Sequence, residues 1–203
     1  MKAEIIAIGT ELLLGQIANT NAQFISEQLA ALGIPVYFHT VVGDNPTRLR
    51  AQLEISTKRS DILIFTGGLG PTKDDLTKDT IASFIHRSLV VDEEGLEQVV
   101  SFFRKRNVPM TDNNIKQAMV IEGATVFPNK TGLALGMAVH NEGKHYLLFP
   151  GPPNELKPMF IHYAVPYLRQ IVPEANVVYS KVMRFCGIGE SALEKELEDL
   201  IDA

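Results

Sequence analysis

Asp61-Ile62-Leu63-Ile64-Phe65-Thr66-Gly67-Gly68-Leu69-Gly70-Pro71-Thr72-Lys73-Asp74-Asp75-Leu76-Thr77-Lys78-Asp79 is the stretch whose reading decides the fold. Its apolar opening, Ile62 to Phe65, is short and has no polar alternation, which predicts a strand buried on both faces. Gly67-Gly68-Leu69-Gly70-Pro71-Thr72 is a flexible loop whose backbone amides can approach a bulky anion closely. Asp74 and Asp75 then lead into a predicted helix over residues 75–85, with Ile81, Phe84 and Ile85 facing inward. Strand, glycine turn and helix in this order are how open α/β sheets hold phosphates at the carboxyl ends of their strands.

The same alternation extends outward in both directions. Lys2 to Ile8 predicts a first strand, ended by Gly9-Thr10-Glu11. Asn19-Thr20-Asn21 suits a helix start, and Ile25, Leu29 and Leu32 give that helix one apolar face, with Gly33 as its C-terminal stop. Val36 to Val42 reads as a strand, and Gly43-Asp44-Asn45-Pro46 turns it into a helix over 47–58. Leu96, Val99, Val100 and Phe103 place a strong helix over 92–106. A short helix over 113–118 and short strands over 119–121 and 125–127 lead to Asn129-Lys130-Thr131-Gly132. Strands over 133–140 and 144–149 flank Asn141-Glu142-Gly143 and predict a hairpin. Pro150-Gly151-Pro152-Pro153-Asn154-Glu155 opens a last helix, which Pro166 bends or ends. The predicted class is therefore α/β: a three-layer αβα arrangement with a mostly parallel, mixed sheet over residues 1–172. Residues 176–203 read as the start of a second small domain: a strand over 177–185, then one helix aligning Leu193, Leu197, Leu200 and Ile201.

Composition narrows the functional classes. With 203 residues, 45% hydrophobic content and a net charge of −5, the chain has ample core and lacks the basic excess of a general nucleic-acid binder. Its single cysteine, Cys186, rules out an internal disulfide and a cysteine metal cage, and is expected to be a buried apolar residue. Glu4 interrupts the first apolar run, so no secretory leader is read, and no run approaches a membrane span. The expectation is a cytoplasmic protein without nucleic-acid or membrane partners; a homodimer is compatible with it.

The glycine- and proline-rich loops follow predicted strands. If those strands are parallel, Gly9–Glu11, Gly43–Asn45, Gly67–Asp75, Asn129–Gly132 and Pro150–Glu155 gather into one pocket. The central loop is neither a Walker loop nor a dinucleotide fingerprint, because no Gly-Lys-Ser/Thr follows and the third glycine is missing. Two readings of it stand side by side. In one, the amides cradle phosphate while Asp74 or Asp75 holds a divalent cation. In the other it is a plain turn with Asp75 capping the helix. Asp44 is equally consistent with a helix-launching turn, Glu11 with a loop end, Lys130 with a solvated side chain and Glu155 with a helix start.

Taken together, Gly9-Thr10-Glu11-Leu12-Leu13, Asn19-Thr20-Asn21, Val42-Gly43-Asp44-Asn45, Thr66 to Thr72 with Asp74-Asp75, Asn129 to Gly132 and Pro150 to Glu155 resemble the CinA family of competence/damage-inducible proteins. The resemblance implies the molybdopterin-binding-like fold of cofactor-biosynthesis proteins, whose glycine loop and nearby aspartates bind a pterin or nucleotide phosphate with magnesium. It also implies hydrolysis of ADP-ribose to AMP and ribose 5-phosphate, so the implied small-molecule partner is a nucleotide sugar. In that scheme Asp44, Asp75 and Lys130 are catalytic. Asp44, Asp74 and Asp75 bind Mg²⁺, Mn²⁺ or Co²⁺. Thr10, Glu11, Thr66, Gly67, Gly68, Gly70, Thr72, Asn129, Thr131, Gly132, Gly151, Pro152 and Glu155 contact substrate. A pterin–nucleotide transferase-like site and a non-catalytic nucleotide-binding module linked to competence are the alternatives.

Overall fold

The computed structural model describes residues 1–172 and 183–201. Six strands form one sheet: β1 (Ala3–Ile8), β2 (Val36–Val42), β3 (Ile62–Thr66), β6 (Thr125–Phe127), β7 (Gly136–Asn141) and β8 (Lys144–Phe149), in the order β2-β1-β3-β8-β7-β6. β2, β1, β3 and β8 run parallel, and β7 and β6 add antiparallel pairs. The sheet is mixed, as expected. β4 (Leu89–Val91) and β5 (Met119–Ile121) make a separate antiparallel pair.

The unbroken apolar runs are explained by burial on both faces. Along β3, Leu63 and Phe65 enter one core layer while Ile62 and Ile64 enter the other. α3 (Pro46–Arg59) and α4 (Thr77–Phe84) cover the first layer with Leu49, Leu53 and Ile81. α2 (Thr20–Ala31) and α6 (Pro153–Met159) cover the second with Ile25, Leu29 and Leu156. Turn chemistry joins the layers: Asn19 caps α2 by accepting from the Ala22 N–H, and Asn45 caps α3 by accepting from Arg48. Glu142 and Gly143 both have positive φ, 48° and 74°, which suits the tight β7–β8 turn.

One carboxylate sits inside the strand core. Glu4 of β1 is 0% exposed. Its carboxylate accepts two bonds from the Arg59 guanidinium, at 2.6 and 2.9 Å, and others from Thr40, Gln52 and Ser60. Burial pushes its pKa up, but Arg59 and the hydroxyl donors outweigh that, so the net shift is downward.

Several expectations are corrected. α4 begins at Thr77, two residues later than predicted. β7 begins at Gly136 rather than residue 133, because the preceding segment bends into the site. Pro166 does not end the last helix. A π turn (Phe160–Ala164) carries the chain into α7 (Val165–Ile171), where Pro166 sits in the first turn and its missing N–H costs nothing. The single C-terminal helix is instead two short ones, α8 (Glu190–Glu196) and α9 (Glu198–Ile201). Most of the strand expected over 177–185 lies outside the described residues, and 183–185 are not strand. Cys186 is exposed, not buried. Among the described residues no helix is long and apolar enough to cross a membrane.

Candidate functional site

The parallel strands end at one edge, where the strand order reverses, and this is where open α/β sheets bind ligands. The loops after them converge. Gly9 and Glu11 come from β1, Asp44 from β2, Gly67–Gly70 with Asp74 and Asp75 from β3, and Pro150–Pro152 from β8. With Glu155 of α6 they line a cavity of about 380 Å³.

The glycine loop is shaped by contacts only glycine allows. Gly67 has φ 100° and Gly68 φ 69°; a Cβ on Gly67 would strike the Ile8 carbonyl, and one on Gly68 the Thr77 hydroxyl. Thr77 holds the curve by donating its hydroxyl to the Gly67 carbonyl at 2.8 Å and its N–H to that of Gly68 at 3.2 Å. The Leu69 side chain is buried in the core and pins the loop from behind. Gly67 gives its N–H to Phe149 at 3.0 Å, so it stitches the loop to β8 and is withdrawn from the expected amide cradle. The N–H groups of Gly68, Leu69 and Gly70 have no protein acceptor among the described residues, and all three residues line the cavity. Gly67→Ala should therefore cost about 2 kcal/mol through backbone strain and abolish nucleotide binding. Gly151→Ala, whose Cβ would meet only Gly67 Cα at 3.7 Å, should leave the stability unchanged. Thermal melts and nucleotide titrations of both variants check this.

Two carboxylates are held rigidly. Asp44 Oδ2 accepts from the Thr10 N–H at 2.9 Å and the Thr10 hydroxyl at 2.8 Å. Asp75 Oδ2 accepts likewise from the Thr72 N–H at 2.8 Å and hydroxyl at 2.7 Å. Thr10 and Thr72 thus act by orienting aspartates. Asp75 is not the helix cap: Leu76 occupies that position and no side chain caps α4. Asp74 lies in the exposed turn before it.

The Asn129–Gly132 loop stands behind the cavity wall. Asn129 is 1% exposed and donates to Glu155 Oε2 at 2.6 Å and to the Ala134 carbonyl at 2.9 Å. Its Oδ1 accepts from the N–H groups of Thr131 and Gly132. It therefore fixes Glu155, which does line the cavity. The Lys130 side chain is exposed, and none of residues 129–132 lines the cavity. Thr66 lines a neighbouring cavity instead.

Other contributors carry no local signal. Gln117, Leu133 and Ala134 line the cavity. Lys78 reads as an ordinary helix lysine yet is 1% exposed, and burial lowers its pKa to about 8. Its Nζ donates to the Lys116 carbonyl. Lys116 Nζ in turn donates to the Asp75 carbonyl at 2.5 Å and lies 3.2 Å from the Asp79 carboxylate. These lysines tie the 3-10 helix Asp112–Ala118, and so Gln117, to the Asp75 loop.

The lining carboxylates are hard oxygen donors suited to Mg²⁺ or Mn²⁺. Yet among the described residues no three His, Cys, Asp or Glu side chains are grouped to hold an ion by themselves. The expected triad of Asp44, Asp74 and Asp75 shares a cavity without forming such a group. This fits a cation that shares one or two carboxylates with phosphate oxygens and water, as Mg²⁺ commonly does.

A mixed α/β sheet with its loops gathered over a glycine cradle defines a class, and comparison identifies it. Residues 4–170 match the family described as "Probable molybdopterin binding domain", and the chain belongs to that family, in its competence/damage-inducible branch. All of the chain aligns with a putative competence-damage inducible protein of Halalkalibacterium halodurans at 60% identity and with one of Bacillus cereus at 58%. It covers 48% and 49% of those proteins, so the chain spans about half the length of the curated relatives it matches. Among solved structures, the protein CinA of Thermoplasma acidophilum superimposes with a TM-score of 0.71 at 30% identity, over 79% of this chain and 94% of that one. The molybdopterin biosynthesis enzyme MoaB of Thermus thermophilus gives 0.57 at 19% identity, over 83% and 92%, and shares the fold.

Proposed function

We propose that this chain hydrolyses ADP-ribose, with water, to AMP and ribose 5-phosphate. The observation that carries the reading is the cavity itself, lined by Gly68, Leu69 and Gly70, whose amides have no acceptor among the described residues, together with Glu11, Asp44, Asp74, Asp75 and Glu155. Amides of that kind suit the non-bridging oxygens of a diphosphate. Carboxylates in such number repel a dianion unless a cation comes with it. A divalent cation shared between one or two of Asp44, Asp74 and Asp75 and the phosphate oxygens would neutralise phosphate charge and lower the pKa of a bound water.

The protein's own part is positioning and proton handling. Glycine amides orient the diphosphate. Among the described residues, Asp75 and Asp44 each keep Oδ1 free of protein hydrogen bonds while Oδ2 is anchored by a threonine. A carboxylate fixed in this way can orient water for in-line attack and accept its proton as the bridging P–O bond breaks. The product is a phosphate monoester on each side of the former bridge.

The test is AMP release from ADP-ribose with Mg²⁺, Mn²⁺ or Co²⁺. One AMP per ADP-ribose consumed, lost on chelation, is expected. Calorimetry with the metal alone should show weak binding that tightens when AMP is present, because the carboxylates do not form a complete shell. ADP-ribose bound tightly with no AMP released overturns hydrolysis and leaves a nucleotide-binding module.

A further inference from the structure

α5 (Glu93–Arg106) is fastened to the body along one side. Val99 is fully buried, Gly95 leaves room for the Leu135 side chain, and Gln98 donates to the Asn129 and Gly132 carbonyls at 2.5 and 3.1 Å. The outward side carries Glu94, Glu97, Ser101, Arg104 and Lys105, which fall in one stripe at helical spacing. The four charged residues are exposed and Ser101 is half-buried. Glu94, Glu97, Val100, Ser101 and Arg104 line an open hollow of about 580 Å³. The charges here are sorted by sign: Glu93, Glu94 and Glu97 come first, and Arg104, Lys105 and Arg106 fill the last turn. The helix dipole accounts for acids in the first turn and bases in the last, but its effect fades within a turn and does not reach Glu97. Nor does the helix satisfy that residue. Glu97 follows Glu93 by four positions, a like-charged spacing that costs helix stability. Its nearest base along the helix, Arg104, is about 10 Å away on the axis. Among the described residues none of these six charges is in an ion pair.

We infer that the outward side of α5 is a self-complementary interface on which a second copy of this chain docks antiparallel. Charge complementarity selects that occupant. A partner of one sign would be attracted by half of the helix and repelled by the other half. A second α5 running the opposite way sets acid against base along the whole contact, and a two-fold axis makes every contact reciprocal. With the axis at Ser101, Glu97 and Lys105 lie about 6 Å to either side, so Glu97 of each copy faces Lys105 of the other. The small Ser101 side chain lets the helices approach to about 8 Å, the close end of the packing range. The hollow beside it receives the aliphatic stems of the opposing Arg104 and Lys105. No residue of α5 lines the main cavity, so the interface does not depend on the hydrolase reading.

The experiment is sedimentation velocity of the parent and of charge-reversed variants over a concentration series. A two-helix contact is small, so the parent should be monomeric at roughly 1 µM and mostly dimeric by about 300 µM. Glu97→Lys and Lys105→Glu should each weaken the dimer at least about tenfold, since each sets like charges together twice. Both changes in one chain exchange the signs and should restore the affinity to within about threefold of the parent. Mixing the two single variants should give a heterodimer. Both side chains are exposed, so circular-dichroism spectra should match the parent throughout. A parent that stays monomeric at about 300 µM overturns the inference. So does a dimer that survives both single reversals, or one that the combined variant fails to restore.

Discussion

Asp75→Ala should lower AMP release from ADP-ribose by about a thousandfold while the protein stays folded. The carboxylate lines the main cavity, and its Oδ2 is held by both donors of Thr72, so its position is preset. Little stability should be lost, about 1 kcal/mol, because the released Thr72 groups are exposed and water replaces the carboxylate. Asp75→Asn separates charge from geometry. Its amide oxygen can still accept from Thr72, so the loop keeps its shape, yet turnover should fall nearly as far. Asp74→Ala, which alters an exposed turn residue with no fixed partner, should cost less than Asp75→Ala. Steady-state rates with matched circular-dichroism melts decide the matter. Full activity in Asp75→Ala would remove this residue from the chemistry.

Arg59→Met should destabilise the protein by about 3 kcal/mol near neutral pH, for it strands the buried Glu4 carboxylate. The lower part of the usual range is appropriate because the Arg59 side chain is 31% exposed, and water reaches the gap. Arg59 also stacks over Phe38, 3.7 Å from the ring centroid, and that contact goes too. The pH dependence carries the sign. In the parent the Glu4 pKa is lowered on folding, so its contribution is complete above the ordinary glutamate value. It is lost as pH falls through the folded value. In the variant, burial without the guanidinium raises the Glu4 pKa, and the penalty is relieved as the group protonates. The gap between parent and variant should therefore shrink below about pH 5. Urea melts at pH 7 and pH 4 measure it; a gap that widens in acid would mean that Glu4 is not the stranded charge. Adding Glu4→Leu to Arg59→Met should recover part of the loss.

Buried strands, striped helices and tight turns are legible from local sequence. Ile62 to Thr66 is apolar at every position but the last, and such a run has one stable place, a strand covered on both faces. The helix over 93–106 carries its stripe in its own spacing, and Asn141-Glu142-Gly143 carries its turn in the φ values those residues tolerate. α4 starts after Asp75 rather than at it, and the Asp75 carboxylate that could cap it accepts from Thr72 instead. Asn129 is expected to contact substrate but holds Glu155 and Ala134 instead, partners that nothing in its neighbourhood announces. Lys78 was passed over for the same reason, since the carbonyl that buries it lies in a different element.

The opening strand–glycine–carboxylate segment carries by itself the signature of an α/β protein with a flexible glycine loop after a buried strand. Backbone propensity and short-range sterics act over a few residues, and those residues are all present in it. Folding alone decided which carboxylates share the cavity and that Gly67 spends its amide on β8. Those outcomes depend on how β1, β2, β3 and β8 line up and on hydrogen bonds that span far more sequence than any local pattern reaches.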